Sequence, residues 1–238
     1  MNNTLEIAKG RQACEILEEL NLDCWLIWVR ETAEMADPAL KLVFPGSLVW
    51  ASALLFTREG ERIAIVGRFD ARGIPDGLFD RLVPYDKGIR SILHDELGRI
   101  DPRTIAIDIS QSNLVADGLT VGMHQTLLDH LAGTPYETSL VSAEGLIGRL
   151  RARKLPEEID HISRAVELTE HIFAQVLATL AIGQTEQQVQ TLFQRCVEEI
   201  GAGFAWDRGH NPAVDAGPDK VFGHLGPTDR RTKAGELL

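Results

Sequence analysis

The segment 206–230 concentrates side chains that could do chemistry. Among its residues are His210, Asp215, Asp219, His224 and Asp229, which lie within about twenty residues of one another. Imidazole and carboxylate groups together suit divalent metal ions. The same residue types are common in solvated loops, and Gly217-Pro218 and Gly226-Pro227 break any regular register through the segment. The pattern leaves two interpretations open, a divalent metal site or a polar loop rich in turn formers.

Other candidate residues stand in weaker contexts. The run Gly118–Gly122 lacks the GK[ST] ending of a phosphate loop, and none of the serines lies in a GxSxG context. Each remaining histidine lies alone on a predicted helix without an activating partner, which favours a surface or packing role. These histidines are His94, His124, His130, His161 and His171. Cys14, Cys24 and Cys196 form no CxxC or zinc pattern, and we expect reduced, inert thiols.

Composition bounds the class of protein. The chain has 238 residues, of which 44% are hydrophobic and 25% charged, as is ordinary for one large or two moderate globular domains. The formal net charge of -11 disfavours nonspecific binding to nucleic acids or anionic membranes, because those partners are also negative. The first residues lack the pattern of a signal peptide, and no apolar run reaches the ~18 residues of a membrane span. The sequence therefore predicts a soluble cytoplasmic protein without nucleic-acid or membrane partners.

The elements before the polar segment predict an α/β domain over residues 1–150. An amphipathic helix is predicted over 5–20, and the apolar run Cys24–Val29 predicts a strand buried on both faces. A hairpin is predicted from 50–57 and 62–67, followed by a loop to about Pro84. Further predicted elements are a helix over 91–100, a strand over 104–110 and a helix over 122–131. Helices and strands mixed in this order are typical of an α/β layer.

The sequence pattern changes at Lys154-Leu155-Pro156-Glu157-Glu158, which marks a second region, residues 151–238. Proline and acids in a first turn are a strong helix start. Apolar residues at helical spacing then predict one long helix up to Gly183, and Thr185-Glu186-Gln187-Gln188 fits the capping box of another. Its predicted inner face is Val189, Leu192, Phe193, Cys196, Val197 and Ile200.

Three stretches in order carry a resemblance to a known family. They are GRLRARKLPEEIDHISRAVELTEHIF (148–173), GQTEQQVQTLFQ (183–194) and GHLGPTDRRTKAGELL (223–238). This series resembles the creatinase and Xaa-Pro peptidase family of metallopeptidases, which includes prolidase and aminopeptidase P. The resemblance implies an N-terminal creatinase-type α/β domain over 1–150. It implies the first, incomplete part of an α+β pita-bread catalytic domain over 151–238.

The resemblance also implies a function. Family enzymes are metal-dependent hydrolases in which two divalent ions (Mn, Co or Zn) activate water to cleave an Xaa-Pro peptide or a related C–N bond. His224 corresponds to the histidine that hydrogen-bonds the substrate and its developing charge, whereas His210 has no assured role. The family's metal ligands are expected beyond Leu238, so we expect no metal ligands in this chain and no activity from it alone.

Two functions from different classes follow as hypotheses. The first is a metallohydrolase acting on a peptide or small C–N bonded substrate, as a homodimer. The alternative is a noncatalytic binding or assembly protein derived from the same family, using exposed helix faces to hold a partner.

Overall fold

The computed structural model of the protein describes residues 4–218 and 225–238. In these residues the chain forms six strands and seven α-helices, in the order α1-β1-α2-β2-β3-β4-α3-β5-α4-β6-α5-α6-α7 with short 3-10 turns between them. They fall into two compact units, unit 1 (Met1–Glu158) and unit 2 (Ile159–Leu238). The domain boundary at 150/151 stays a prediction.

Unit 1 is built on one six-stranded sheet with strand order β4-β3-β2-β1-β5-β6. Strands β1, β2 and β3 are antiparallel neighbours, whereas β5 runs parallel to β1, β6 parallel to β5, and β4 parallel to β3. The strands are β1 (Cys24–Val29), β2 (Ser52–Thr57), β3 (Arg62–Gly67), β4 (Arg81–Tyr85), β5 (Ile105–Ile107) and β6 (Leu140–Ser142). The three central antiparallel strands are buried along their whole length.

Helices cover both faces of this sheet. Those of unit 1 are α1 (Thr4–Leu20), α2 (Leu40–Val43), α3 (Arg90–Ile100), α4 (Val121–Leu131) and α5 (Glu144–Ala152). Buried side chains of α1, α2 and α5 form one hydrophobic cluster with one face, and those of α3 and α4 form a second cluster with the other. Continuous apolar runs in β1 to β3 are explained by this double cover, since neither face of those strands meets water.

A buried lysine ties α1 to the end of α5. Lys9 is 1% exposed, and its Nζ donates to the main-chain oxygens of Leu150 at 2.6 Å and Arg153 at 3.0 Å. It also pairs with the carboxylate of Glu158 at 3.0 Å. The basic-then-acidic segment that drew attention in the sequence is therefore anchored to unit 1 by a fully partnered charge.

The predicted helices and the strands β1 to β3 of unit 1 are confirmed, and the departures lie in the edge strands β4 and β6 and in β5 next to β6. Strand β4 lies where a glycine- and aspartate-rich stretch led us to expect loop to about Pro84. Its sequence RLVPY includes a proline, and its first four residues are not fully buried. An edge strand can contain proline since one side of its backbone needs no ladder partner. Strand β6 has three residues, and β5 is shorter than the strand expected over 104–110.

Unit 2 begins with two helices, α6 (Pro156–Thr179, which starts in unit 1) and α7 (Glu186–Glu199). The predicted capping box is confirmed: the Thr185 hydroxyl accepts from Gln188 N, and the Gln188 side chain accepts from Thr185 N. Phe173 and Phe193 meet edge to face at 4.8 Å, which packs α6 against α7. None of the described helices is both long and apolar enough to cross a membrane.

The expected inner face of α7 is only partly buried, since Leu192, Phe193, Cys196 and Val197 are half-buried. Of the six apolar residues assigned to it only Val189 is buried, and Ile200 is 37% exposed. The buried face is instead polar and includes Glu186, Gln190 and Gln194. Apolar periodicity did not identify this face, because its polar side chains are buried against main-chain atoms that form hydrogen bonds with them.

Candidate functional site: a loop held by the polar face of α7

Three polar side chains on α7 form a buried stripe. Glu186, Gln190 and Gln194 are spaced four residues apart, which places them on one face of a helix. Their exposed fractions are 0%, 9% and 8%. A buried polar group costs free energy unless it is hydrogen-bonded, so the partners of this stripe decide what it does.

Glu186 fixes the loop that follows α7, residues 208–228, on both sides of residues 219–224. Its Oε1 accepts from Ala216 N at 2.9 Å. Its Oε2 accepts from Thr228 N and from Thr228 Oγ1, both at 2.7 Å. One buried carboxylate therefore joins the chain before this stretch to the chain after it.

Gln190 and Gln194 fix the earlier part of the loop. The Gln190 amide donates to the oxygens of Gly209 at 3.1 Å and Pro212 at 3.0 Å. The Gln194 amide donates to the oxygens of Arg208 at 2.7 Å and Asn211 at 3.2 Å, and these four acceptors are all main chain. The stripe thus sets the backbone path of 208–216 independently of most loop side chains.

The segment after the loop pairs with the turn that precedes α7. Thr185 and Arg231 form an antiparallel bridge. Gly183 N donates to Thr232 O at 3.0 Å, and Thr232 N donates to Gln184 O at 2.9 Å. The chain after the loop is consequently held at the start of α7, where Glu186 also holds Ala216.

The structure does not gather the described candidate residues into a metal site. His210 is exposed and its Nδ1 lies 3.0 Å from Asp207 Oδ1, while Asp229 is exposed and Asp215 is half-buried. Across residues 4–218 and 225–238, no three His, Cys, Asp or Glu side chains are placed to hold a metal ion. The other two candidates, Asp219 and His224, lie outside the described residues.

The remaining histidines and cysteines occupy packing or surface positions. His94 Nε2 lies 2.6 Å from His130 O, and the His130 ring packs edge-on against Trp28 at 5.4 Å. Burial, followed by the nearby charge of Arg90, lowers the pKa of His130. Burial raises the pKa of the Cys14 thiol to about 11, so this sulfur stays protonated and unreactive at neutral pH.

Two groups of buried polar residues were missed in the sequence. The α7 stripe could have been found from its spacing, since a polar residue recurs every fourth position after the capping box. The second group is a pair of carboxyls in unit 1, Asp37 and Asp108, at 4% and 2% exposure. They are distant in sequence, and nothing in the local pattern around either one signals the other.

The fold of this chain is similar to the folds of solved structures that include Xaa-Pro peptidases. The chain matches the X-Pro aminopeptidase of Thermotoga maritima over 95% of its residues, with a TM-score of 0.61 and 18% identity. It matches the Xaa-Pro dipeptidase of Bacillus anthracis over 99%, with a TM-score of 0.64 and 15% identity. A putative aminopeptidase P from the same organism matches over 99%, with a TM-score of 0.69 and 12% identity.

These likenesses concern the fold, and they cover part of each relative. The chain spans 58%, 59% and 60% of those three structures, respectively. No protein-family model and no curated protein sequence matches it. At identities of 12% to 18% the comparison establishes shared architecture alone.

Proposed function

We propose that this chain forms part of a hydrolase of the Xaa-Pro peptidase type. In this proposal residues 1–150 are its N-terminal α/β domain and residues 151–238 the first part of its pita-bread catalytic domain. The observation that carries the proposal is a fold likeness to X-Pro aminopeptidase and Xaa-Pro dipeptidase structures over 95% to 99% of the chain. The substrate class is a peptide or a related C–N bonded compound, and the working assembly is a homodimer in the cytoplasm.

In this proposal the loop held by α7 faces substrate through His224. The role of His224 rests on the motif GHLGP and on the family resemblance, because this residue lies outside the described part of the chain. The contacts of Glu186 with Ala216 and Thr228 support it indirectly, since they fix the backbone on both sides of 219–224. A well-aimed hydrogen bond to a developing negative charge is worth roughly 2.7–4 kcal/mol in related hydrolytic reactions.

The described residues do not fit the two divalent ions that such enzymes use. No cluster of three suitable side chains exists among them, and His210 is paired with Asp207. We therefore assign no step of the reaction to metal held by these residues. The proposal places the metal ligands in sequence that would follow Leu238.

A metal-supplemented peptidase assay tests this proposal. The 238-residue chain is incubated with an Xaa-Pro dipeptide and Mn²⁺, Co²⁺ or Zn²⁺, and bound metal is measured after dialysis. We expect neither turnover nor stoichiometric metal. Robust turnover by this chain alone would show that its chemistry lies in residues other than those proposed.

A second candidate function is a noncatalytic binding or assembly protein, favoured by the surface of α6. Apolar side chains recur along that helix at about half exposure or more, namely Ile159, Ile162, Val166, Phe173 and Leu177. An exposed apolar face of this size typically marks an interface. Downstream coding sequence separates the two candidates: an aspartate-bearing strand after codon 238 supports the hydrolase, whereas a stop codon together with a stable oligomer in light scattering supports assembly.

A further inference from the structure

A cleft in unit 1 opens where the chain leaves β1. Its volume is about 270 Å³, and its lining includes Trp28, Arg30, Glu31, Asp37, Gly118 and Thr120. We call it the β1 cleft. It is slightly smaller than the roughly 300–1,000 Å³ of pockets for drug-sized ligands, so its occupant must be a small molecule.

The position of the β1 cleft in the sheet is one where α/β proteins place ligands. Strands β1 and β5 are parallel neighbours. The chain passes from β1 to α2 on one face of the sheet and from β5 to α4 on the other. A change of face between adjacent parallel strands creates a crevice at their carboxyl ends, and ligands of open α/β sheets bind in such crevices.

Two buried carboxyl groups lie at this point without a basic partner. The side chains of Asp37 and Asp108 are hydrogen-bonded to each other, so the pair retains a proton. Asp37 Oδ1 accepts from Ala39 N at 2.7 Å, and Asp108 Oδ1 accepts from Trp25 Nε1 at 2.6 Å. Within the described chain neither carboxyl forms an ion pair with lysine or arginine, which leaves the pair without a countercharge.

Close backbone approach holds Asp37 at the cleft wall. A Cβ atom on Gly118 would lie 1.9 Å from Asp37 Oδ2, so only glycine leaves room for this carboxyl. Gly118 also lines the β1 cleft, and Leu119 N, next to it, donates to Asp108 O at 3.0 Å. The loop after β5 is thereby fixed around the acid pair.

A buried donor at this place lacks a partner. Trp28, which lines the β1 cleft, is 3% exposed, and its Nε1 has no acceptor among the described residues. Buried polar groups are rarely left without a hydrogen-bond partner. A buried donor without an acceptor, in a cleft with a carboxyl pair that has no countercharge, is therefore a sign of a missing ligand.

We propose that the β1 cleft binds a small organic ammonium ion that also carries a hydrogen-bond acceptor. The ammonium group supplies the countercharge to the Asp37–Asp108 pair. The acceptor serves the Trp28 N–H, and the indole ring adds a wall of the kind that attracts organic cations. Compounds of amino-alcohol or amino-acid size share this chemistry.

The site suits an organic cation better than a metal ion. Divalent cations such as Ca²⁺ and Mg²⁺ take six or more oxygen ligands, whereas no cluster of three acidic or other ligating side chains occurs among the described residues. An ammonium group needs few acceptors and tolerates an aromatic wall. The proposal concerns unit 1 alone and does not depend on the peptidase function.

Nuclear magnetic resonance of the indole N–H groups tests the proposal directly. The chain has four tryptophans, and the resonance lost in Trp28→Phe identifies Trp28. Ethanolamine and glycine are titrated separately against the 238-residue chain at constant pH and ionic strength. We expect the Trp28 resonance to move saturably in at least one titration. The tighter-binding probe shows whether the acceptor is a neutral hydroxyl or a carboxylate.

Matched variants and ligands make the result decisive. The double variant Asp37→Asn/Asp108→Asn keeps acceptors for Ala39 N and Trp25 Nε1 and removes the single negative charge of the pair, so binding should weaken at least about tenfold. Asp76→Asn removes the same charge from an exposed position that does not line the cleft, and binding should be unchanged. If the double variant fails to fold, calorimetric titration of Trp28→Phe provides the second measure of weakened binding.

Several outcomes would overturn the proposal. Equal binding of ethylene glycol, which replaces the ammonium by a hydroxyl, would remove the role of charge. Binding of Mg²⁺ with no response to ethanolamine or glycine would assign the acid pair to a metal. Each probe is titrated from 100-fold the protein concentration up to about 50 mM, a level that saturates a site with a Kd of about 1 mM. A Trp28 resonance that neither probe moves over this range would mean that the cleft is not an ammonium site.

Discussion

The interior of unit 1 and the interior of unit 2 are stabilised by different kinds of contact. Unit 1 has a sheet covered on both faces, with two large hydrophobic clusters. In unit 2, four of the nine buried residues in the described chain are polar. These nine are Ile172, Val176, Thr185, Glu186, Val189, Gln190, Gln194, Val214 and Ala216.

The difference shows how each unit obtains a defined structure. In unit 1 stability comes from apolar area removed from water, because helices bury both faces of the sheet. In unit 2 side chains of α7 direct a loop by hydrogen bonds to its main chain. Such bonds contribute little net free energy each, but leaving one partner buried and unpaired is expensive. The predictions below test this contrast from the largest expected effect to the smallest.

Truncating the core of unit 1 should have the largest effect. Phe56 is 1% exposed, with ring centroids 5.1 Å from Trp25 and 6.1 Å from Phe79. Phe56→Ala should lower the free energy of unfolding of unit 1 by about 3–5 kcal/mol, measured by urea denaturation. Leu114→Ala, at an 82% exposed position, is the control and should stay within about 0.5 kcal/mol. Equal losses from the two variants would show that unit 1 lacks a close-packed core.

Removing the carboxylate of Glu186 should have the next largest effect, confined to unit 2. Glu186→Ala leaves Ala216 N and Thr228 N without their acceptor, which should cost about 2–4 kcal/mol. Hydrogen exchange should accelerate at these amides and stay unchanged in β1 to β3.

The matched control for Glu186 is Glu199→Ala, since Glu199 is an exposed acid near the other end of α7. This control should leave both amides protected. Unchanged protection in Glu186→Ala would mean that other contacts hold the loop and that the polar stripe is incidental.

Adding one methyl group should affect the two units unequally. In Gly118→Ala the new Cβ meets the fixed carboxyl of Asp37, and we expect a loss of about 2–3 kcal/mol. In Gly217→Ala the new Cβ meets the guanidinium end of Arg230, which can move, but Gly217 has φ +81°. Backbone strain alone should then cost about 1 kcal/mol. Thermal unfolding measures both, and a larger loss at Gly217 would reverse the comparison.

The last prediction is a loss of stability with rising pH in unit 1, which comes from one buried proton. Burial, followed by the charge of Asp37, raises the pKa of Asp108 well above its ordinary value of 3.8. Burial also raises the pKa of Asp37. The native state therefore holds a proton that the unfolded chain releases. The resulting stability is fully present below pH 3.8 and is lost as the pH rises towards the raised pKa.

Asp108→Asn separates this pH dependence from other titrations. The amide imitates the protonated acid, since it can donate to Asp37 while accepting from Trp25. The variant should lose less stability than the wild type between pH 4 and pH 8, with a difference in slope of at most about 1.4 kcal/mol per pH unit for one proton. Urea denaturation at several pH values measures it, and parallel curves would show that the pair is ionised in the native state.

The sequence by itself determined the elements whose signals are local. The apolar runs of β1 to β3, the start of α6 at Pro156 and the capping box at Thr185 all appear where their patterns predicted. Each depends on residues within a few positions of one another, so chain neighbours suffice to specify it. The resemblance in three stretches likewise led to the peptidase fold.

Tertiary structure decided which polar groups are buried and what they hold. Glu186, Gln190 and Gln194 look like solvated residues until the main chain of 208–228 is brought against them. Asp37 and Asp108 become one acid pair only when β1 and β5 lie side by side. The physical reason is that burial of a polar side chain depends on partners far away in sequence, and only the folded chain supplies them.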